Sequence, residues 1–215
     1  LSGLVGSEMC IRDSGRAGRD IILIGHEGHP EVEGTLGRHN EKYGTRIYLV
    51  QDESDALSLN VNDPDNLAYV TQTTLSLDDT AEIINILNNR FPNLYKPKSK
   101  DICYATQNRQ DAVKQIALEV EMLIVIGSTN SSNSNRLKEL AERCNIESVL
   151  IDNADDIDWE YIDKFNSIGI TAGASAPEST VQDVIKSLEG RFDTSSTDIG
   201  VNNETIYFKL PPELR

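Results

Sequence analysis

The stretch IILIGHEGHPEVEGTLG, residues 21–37, decides the fold. Ile21, Ile22, Leu23 and Ile24 form a continuous apolar run, which reads as a short strand buried on both faces, as in a parallel sheet. The run stops at Gly25, a polar turn follows, and Pro30 suits the first turn of a helix, where a missing N–H costs nothing. Strand, polar turn and helix start make the repeating unit of an α/β fold. That unit sets side chains at the carboxyl edge of the sheet, where ligands of such folds bind. His29 and Glu31 stand on that edge. His26 and His29 are three apart and interrupted by Gly28 and Pro30, so they do not fit the zinc-protease pattern of two histidines four apart on one helix. A carboxyl group beside imidazoles in a partly dry cleft is suited to proton donation, because burial raises a carboxyl pKa toward working pH.

Outward from this stretch the pattern repeats. On the N-terminal side, residues 1–14 (LSGLVGSEMCIRDS) show no clear period and resemble translated adaptor sequence. They are read as a non-native leader outside the fold, which leaves Cys10 without a role. On the other side, Arg46–Val50 and Leu67–Gln72 read as strands with acidic segments between them. The third strand runs into TQTTLSLDDTAEIINILNNRF, where Ser76 and Asp79 resemble a capping box and Ile83, Leu87 and Phe91 form a helical stripe. Thr73 and Thr74 therefore stand at a strand-to-helix turn. Two prolines and a run of lysines in FPNLYKPKSK, residues 91–100, mark a boundary between units spanning 15–99 and 100–193.

The second unit opens with DICYATQNRQDAVKQIALEV, a helix with Val113, Ile116, Ala117 and Val120 inward and Thr106 as its candidate cap. Cys103 lies just ahead of it, where the helix dipole favours a thiolate, so it is the best ligand or nucleophile among the three cysteines. MLIVI (Met122–Ile126) is a buried strand that ends in GSTNSSNSN before a helix over Arg136–Cys144. Its hydroxyls, amides and backbone donors suit an anion. Cys144 shares a register with Leu137, Leu140 and Ala141 and reads as a core thiol. Val149–Asp152 and Ile168–Thr171 are further strands, and DIDWEYIDKF is a short acidic helix between them. The last strand leads into AGASAPESTVQDVIKSLEG, with Ser175 at the turn, Pro177 early in the helix and Val181, Val184, Ile185 and Leu188 inward. In the tail, 194–215, ETIYFKL (204–210) alternates like an edge strand. The fold class is α/β, with two repeated units on small, mainly parallel sheets.

Composition narrows the partners. The chain has 215 residues and 35 acidic against 20 basic side chains, a net charge of −15, so its field repels nucleic acid and anionic membranes. No run approaches the roughly 18 apolar residues of a membrane span, and no signal peptide is visible, which points to the cytoplasm. Three cysteines without a CxxC argue against a disulfide framework. An acidic protein that holds an anion must use local donors, and four turns offer them: His29 with Glu31, Thr73 with Thr74, Ser131–Asn133, and Ser175. Their convergence suits a compact, strongly anionic ligand such as a diphosphate.

At these residues the chain resembles the 4-hydroxy-3-methylbut-2-enyl diphosphate reductases, iron–sulfur enzymes of non-mevalonate isoprenoid biosynthesis. GHEGHPEVEGT, TQTTLS, DICYATQNRQ, GSTNSSNSNRL and TAGASAP stand in the family's order, and the resemblance covers about residues 15–210. It implies a trefoil-like arrangement of three α/β units around a [4Fe-4S] cluster, of which this chain would hold the second and third. Cys103 would be one of three thiolate ligands, Glu31 the proton donor, and Thr73 the residue that positions the substrate hydroxyl and relays the proton. His29, Ser131, Asn133 and Ser175 would hold the diphosphate, with Thr74 and Ser132 nearby. The products would be isopentenyl and dimethylallyl diphosphate, and a ferredoxin or flavodoxin would supply electrons. The family's first unit, with two cluster cysteines and two substrate histidines, has no counterpart here. The chain is therefore expected to be an N-terminally truncated reductase, inactive as written. A phosphate-binding α/β module without redox chemistry is the alternative, and a hydrolase using Cys103 and His29 is a third reading.

Overall fold

The structure is a computed structural model, and it describes residues 10–11, 13–37, 44–96, 102–192, 194 and 196–199. Two three-stranded sheets, each wholly parallel, are built in the same way. The strands of the first are β1 (Asp20–Ile24), β2 (Ile47–Val50) and β3 (Leu67–Thr71), in the order β2-β1-β3. Those of the second are β4 (Met122–Ile126), β5 (Glu147–Ile151) and β6 (Ile168–Ala172), in the order β5-β4-β6. The first strand of each unit is therefore central, and the two apolar runs IILI and MLIVI are its buried cores.

Residues alternate between the two faces of a strand, and helices cover both faces. In the first unit Ile22 and Ile24 pack with Ile83 and Leu87 of α4 (Leu77–Arg90) and Ala56 of α3 (Glu53–Ser58). Ile21 and Leu23 face Val32 of α2 (Pro30–Gly37) and Ile11, which belongs to helical residues 10–11 and 13–16 (α1). In the second unit Leu123 and Val125 meet α5 (Tyr104–Ile116) and α6 (Ser132–Arg143) through Val113, Leu137 and Ala141. Met122, Ile124 and Ile126 meet Ile162 of α7 (Trp159–Ile162) and Val184 and Leu188 of α8 (Glu178–Arg191).

Several expectations are corrected. Ile11 is buried in the first unit's core and Cys10 packs beside it, although the sequence placed residues 1–14 outside the fold. The acidic segment after β2 contains α3, capped by Asp52, whose side chain accepts the Asp55 N–H at 2.9 Å. Helix α5 starts at Tyr104 with Cys103 as N-cap, so Thr106 lies in the first turn and is not the cap. Helix α6 starts four residues earlier than the apolar period suggested, because Ser131 caps it and Ser132–Asn135 form its first turn. Cys144 is the half-buried C-cap of α6 rather than a core residue. Pro177 is the N-cap of α8, with ψ 140° keeping it outside the helix. Of DIDWEYIDKF (156–165), the helix is confined to α7, and Asp156 ends a 3-10 turn at Ala154–Asp156. The expected edge strand at 204–210 and the centre of the expected linker, 97–101, lie outside the described residues.

Candidate functional site

In a sheet of order β2-β1-β3 the loops leaving β1 and β3 diverge to opposite sides, and they open a crevice at the carboxyl ends of those two strands. The IGHEGHPE turn and the TQTT turn flank it. Gly28, at φ +76°, lets the first of these reverse within a few residues. The His29 backbone N–H returns to the His26 carbonyl at 3.2 Å, and Glu31 enters the first turn of α2.

Glu31 and Thr73 meet across this crevice. The Thr73 backbone N–H donates to Glu31 Oε1 at 2.9 Å, and the Thr73 hydroxyl donates to Oε2 at 3.0 Å. Both carboxylate oxygens are thus held by one residue of the neighbouring turn, which fixes the plane of the carboxyl group. Glu31 N–H in turn donates to His29 Nδ1 at 3.2 Å. A neutral imidazole that accepts at Nδ1 carries its proton on Nε2, so His29 has a donor N–H remaining.

Gln72, buried at 1% exposure, was not singled out in the sequence, yet it ties the crevice together. Its Oε1 accepts the His26 N–H at 3.1 Å, and its Nε2 donates to Thr74 Oγ1 at 3.0 Å. Thr74 Oγ1 lies 2.9 Å from Ser132 Oγ in the first turn of α6. That contact joins the edges of the two units.

In the second unit the corresponding crevice lies between the turns after β4 and β6. Ser131 caps α6 by accepting the Ser134 N–H at 3.3 Å. Behind it, Asn133 is 6% exposed, and among the described residues neither its Oδ1 nor its Nδ2 has a hydrogen-bond partner; the fully buried Ser134 hydroxyl likewise has none among them. Two adjacent buried side chains with unmet polar atoms at a helix N-terminus cost stability unless a ligand satisfies them. Ser134 also explains the glycines of GSTN and TAGA, because a Cβ on Gly127 or Gly173 would collide with its hydroxyl. Ser175 is exposed on the turn after β6 and, among the described residues, makes no hydrogen bond to the other candidates.

Arg136 and the Asp79–Arg143 pair flank the site. Arg136 Nη2 lies 3.1 Å from His26 Nε2; since guanidinium only donates, that nitrogen is the acceptor and His26 is neutral there. Burial, and then the charge of Arg136, push His26 below the usual imidazole value. Asp79 in α4 receives Arg143 Nη2 at 2.9 Å, and this pairing holds its carboxyl below the ordinary carboxylate range. Ser76 caps α4 through the Asp79 N–H at 3.2 Å, so one arm of the expected capping box forms while the Asp79 carboxylate turns to Arg143.

Cys103, half-buried, donates its N–H to the Thr73 carbonyl at 3.2 Å, and its side chain makes no cap bond to the helix. Its place beside Thr73 fits one thiolate ligand at the rim of the first crevice. Cys144 lies at the far end of α6, about 18 Å along the axis from Ser132. Cys10 packs on the α2 side of the first sheet. Among the described residues no group of three or more His, Cys, Asp or Glu side chains is arranged to hold a metal ion.

A family model described as LytB protein matches residues 7–189. Over 200 residues the chain is 56% identical to the 4-hydroxy-3-methylbut-2-enyl diphosphate reductase of Pseudomonas putida (strain W619), covering 93% of this chain and 64% of that protein. It is 56% identical to the reductase of the same name from Saccharophagus degradans over 198 residues, 92% of this chain and 64% of the relative. Among solved structures it is similar to the E-1-hydroxy-2-methyl-but-2-enyl-4-diphosphate reductase from Plasmodium falciparum, with a TM-score of 0.89 and 32% identity over 99% of this chain and 66% of that one. The chain thus spans a little under two thirds of the length of these relatives.

Proposed function

The chain belongs to the LytB protein family, and on that premise we propose that it carries the diphosphate-holding and proton-donating units of a 4-hydroxy-3-methylbut-2-enyl diphosphate reductase. The reaction adds two electrons and two protons to the substrate. One proton leaves with the hydroxyl as water, and the other ends on carbon to give isopentenyl or dimethylallyl diphosphate. A [4Fe-4S] cluster, with Cys103 among its ligands, would supply the electrons and a Lewis-acidic iron for the hydroxyl. A cytoplasmic ferredoxin or flavodoxin would be the donor.

The observation that carries this reading is the pairing of unlike crevices. Asn133 offers an unpaired buried amide at the start of α6. With Ser131, Ser132, the Nε2–H of His29 and Ser175, it supplies neutral donors for the diphosphate. Thr74, in contact with Ser132, orients that hydroxyl. Glu31 and Thr73, 3.0 Å apart, hold the proton: Thr73 positions the substrate hydroxyl, and when Glu31 is protonated the threonine hydroxyl turns to accept from it and gives its own proton to the substrate hydroxyl. No full positive charge is needed, which suits a chain of net charge −15.

The test is a chimera in which the 200 aligned residues of this chain replace the matching 64% of the Pseudomonas putida relative. Assayed anaerobically with a reduced low-potential donor, it is expected to bind iron and to release both product diphosphates. A chimera that retains four irons per chain and binds substrate but forms no product would contradict the proposal.

A further inference from the structure

The segment DICYATQNRQ contains more than a cysteine. Cys103 occupies the N-cap of α5, where Ser, Thr, Asp or Asn usually gives an oxygen to the first N–H groups, and its thiol gives no such bond. An uncapped first turn frays easily. What holds this one comes from beyond it: Gln107, whose Nε2 donates to the Ile102 carbonyl at 2.9 Å, and Gln110 and Arg109, which tie the helix to the two sheet edges.

Gln110 is 2% exposed. Its Oε1 accepts the Leu77 N–H at 3.1 Å and its Nε2 donates to the Leu75 carbonyl at 2.9 Å, so both ends of a buried amide grip the turn that carries Thr73 and Thr74. Arg109 reaches the opposite way. Its Nε donates to the carbonyl of Ala172, the last residue of β6, at 3.1 Å, while its Nη1 donates to the Ala105 carbonyl at 3.0 Å in the first turn of α5 itself. One helix is thereby fastened to the β3 turn of the first unit and to the β6 edge of the second. The Cys103 N–H to the Thr73 carbonyl, at 3.2 Å, is the point where the two fastenings meet.

We propose that Arg109 and Gln110 are positioning residues that fix the Cys103 turn against both sheet edges and so set where its thiol stands relative to Thr73 and the β6 turn. The purpose of that placement rests on Cys103 being a thiolate ligand, whereas the placement itself rests on the four side-chain bonds of Arg109 and Gln110. An ordinary buried amide and an ordinary surface arginine would contribute to stability everywhere alike. A positioning pair acts locally.

Amide hydrogen exchange on the 215-residue chain separates the two, and it needs neither iron nor substrate. In Gln110→Ala and Arg109→Ala the Cys103 amide is expected to exchange about tenfold faster or more, while the Ile124 amide at the centre of β4 keeps its rate. Faster exchange at Leu77 in Gln110→Ala confirms that the contact has been removed. Gln110→Glu keeps the acceptor and Arg109→Lys keeps one donor, so both should protect Cys103 to an intermediate degree; should the alanine variants fail to fold, these two carry the comparison. Unchanged exchange at Cys103, or equal acceleration at Ile124, would overturn the proposal. Failure of the chimera to hold iron while Cys103 protection responds as described would count against the functional reading and leave this one standing.

Discussion

The two units share a strand order and a central apolar strand, yet their crevices are finished in opposite ways. In the first, the central carboxyl group is satisfied: Thr73 donates to both oxygens of Glu31, and the Glu31 N–H donates to His29 Nδ1. In the second, Asn133 and Ser134 are buried with their polar atoms unmet. A repeated architecture has thus produced one crevice that holds a titratable group in a fixed geometry and one that stays incomplete until something binds. On the proposed reading the first moves a proton and the second holds an anion.

The largest effect should come from removing the proton. In the chimera, Glu31→Gln keeps an acceptor for the Thr73 N–H and is expected to lower kcat by about 10²–10⁴-fold while leaving diphosphate affinity near that of the parent. Steady-state kinetics with excess donor checks this, and near-normal turnover would remove the distinction between the crevices.

The next contrast concerns stability. Asn133→Leu replaces an unsatisfied buried amide with an apolar group of similar size, so the ligand-free chain should be as stable or about 1 kcal/mol more stable. Thr73→Val removes a satisfied hydroxyl and should cost about 1 kcal/mol. Chemical denaturation of both reads the difference directly. The same Asn133→Leu should weaken diphosphate binding by about 1.5–3 kcal/mol for each bond lost to the charged ligand. A stability loss at Asn133 equal to that at Thr73 would mean the second crevice is not waiting for a ligand.

Much of this was legible in the sequence, and the gaps have physical causes. Continuous apolar runs fixed β1 and β4 almost to the residue, since strands buried on both faces cannot read otherwise. Helix α3 escaped because only Ala56 of its six residues is buried, leaving no period to see. The start of α6 was misplaced because serine and asparagine favour turns as well as caps, and only the structure shows which serine is the cap. His29, Glu31, Thr73, Thr74, Ser131, Ser132 and Asn133 are found on facing turns. Gln72 and Arg136 were missed because their partners are distant in sequence: His26 is 46 residues from Gln72 and 110 from Arg136. Ser134 could have been found from the small residues at Gly127 and Gly173 that it requires.

The seam between the units should respond to acid in two stages. His26 is pushed below the usual imidazole value of 6.5, so the fold favours its neutral form; that contribution is complete above pH 6.5 and is lost as the pH falls through the lower folded value. Asp79 is held below 3.8, so its contribution persists above that value and is lost only in stronger acid, as the pH falls through the folded value. Ring-proton shifts of His26 and carboxyl-carbon shifts of Asp79 should report the first contact opening before the second. The reverse order would contradict the assignment of His26 as the acceptor from Arg136. The smallest effect is expected at Arg143→Gln, since that ion pair has 53% and 39% exposed partners and should be worth less than about 1 kcal/mol. Thermal denaturation at low and high salt checks it.

The central claim is that the two unlike crevices form one site. Nuclear magnetic resonance on the chain, titrated with 4-hydroxy-3-methylbut-2-enyl diphosphate, tests it most directly through the Asn133 side-chain amide and the Thr73 backbone amide that donates to Glu31. Saturable shifts of both signals with a single Kd are expected, with inorganic diphosphate moving Asn133 but not Thr73. A silent Asn133, or shifts of the two signals with unrelated Kd values, would contradict it.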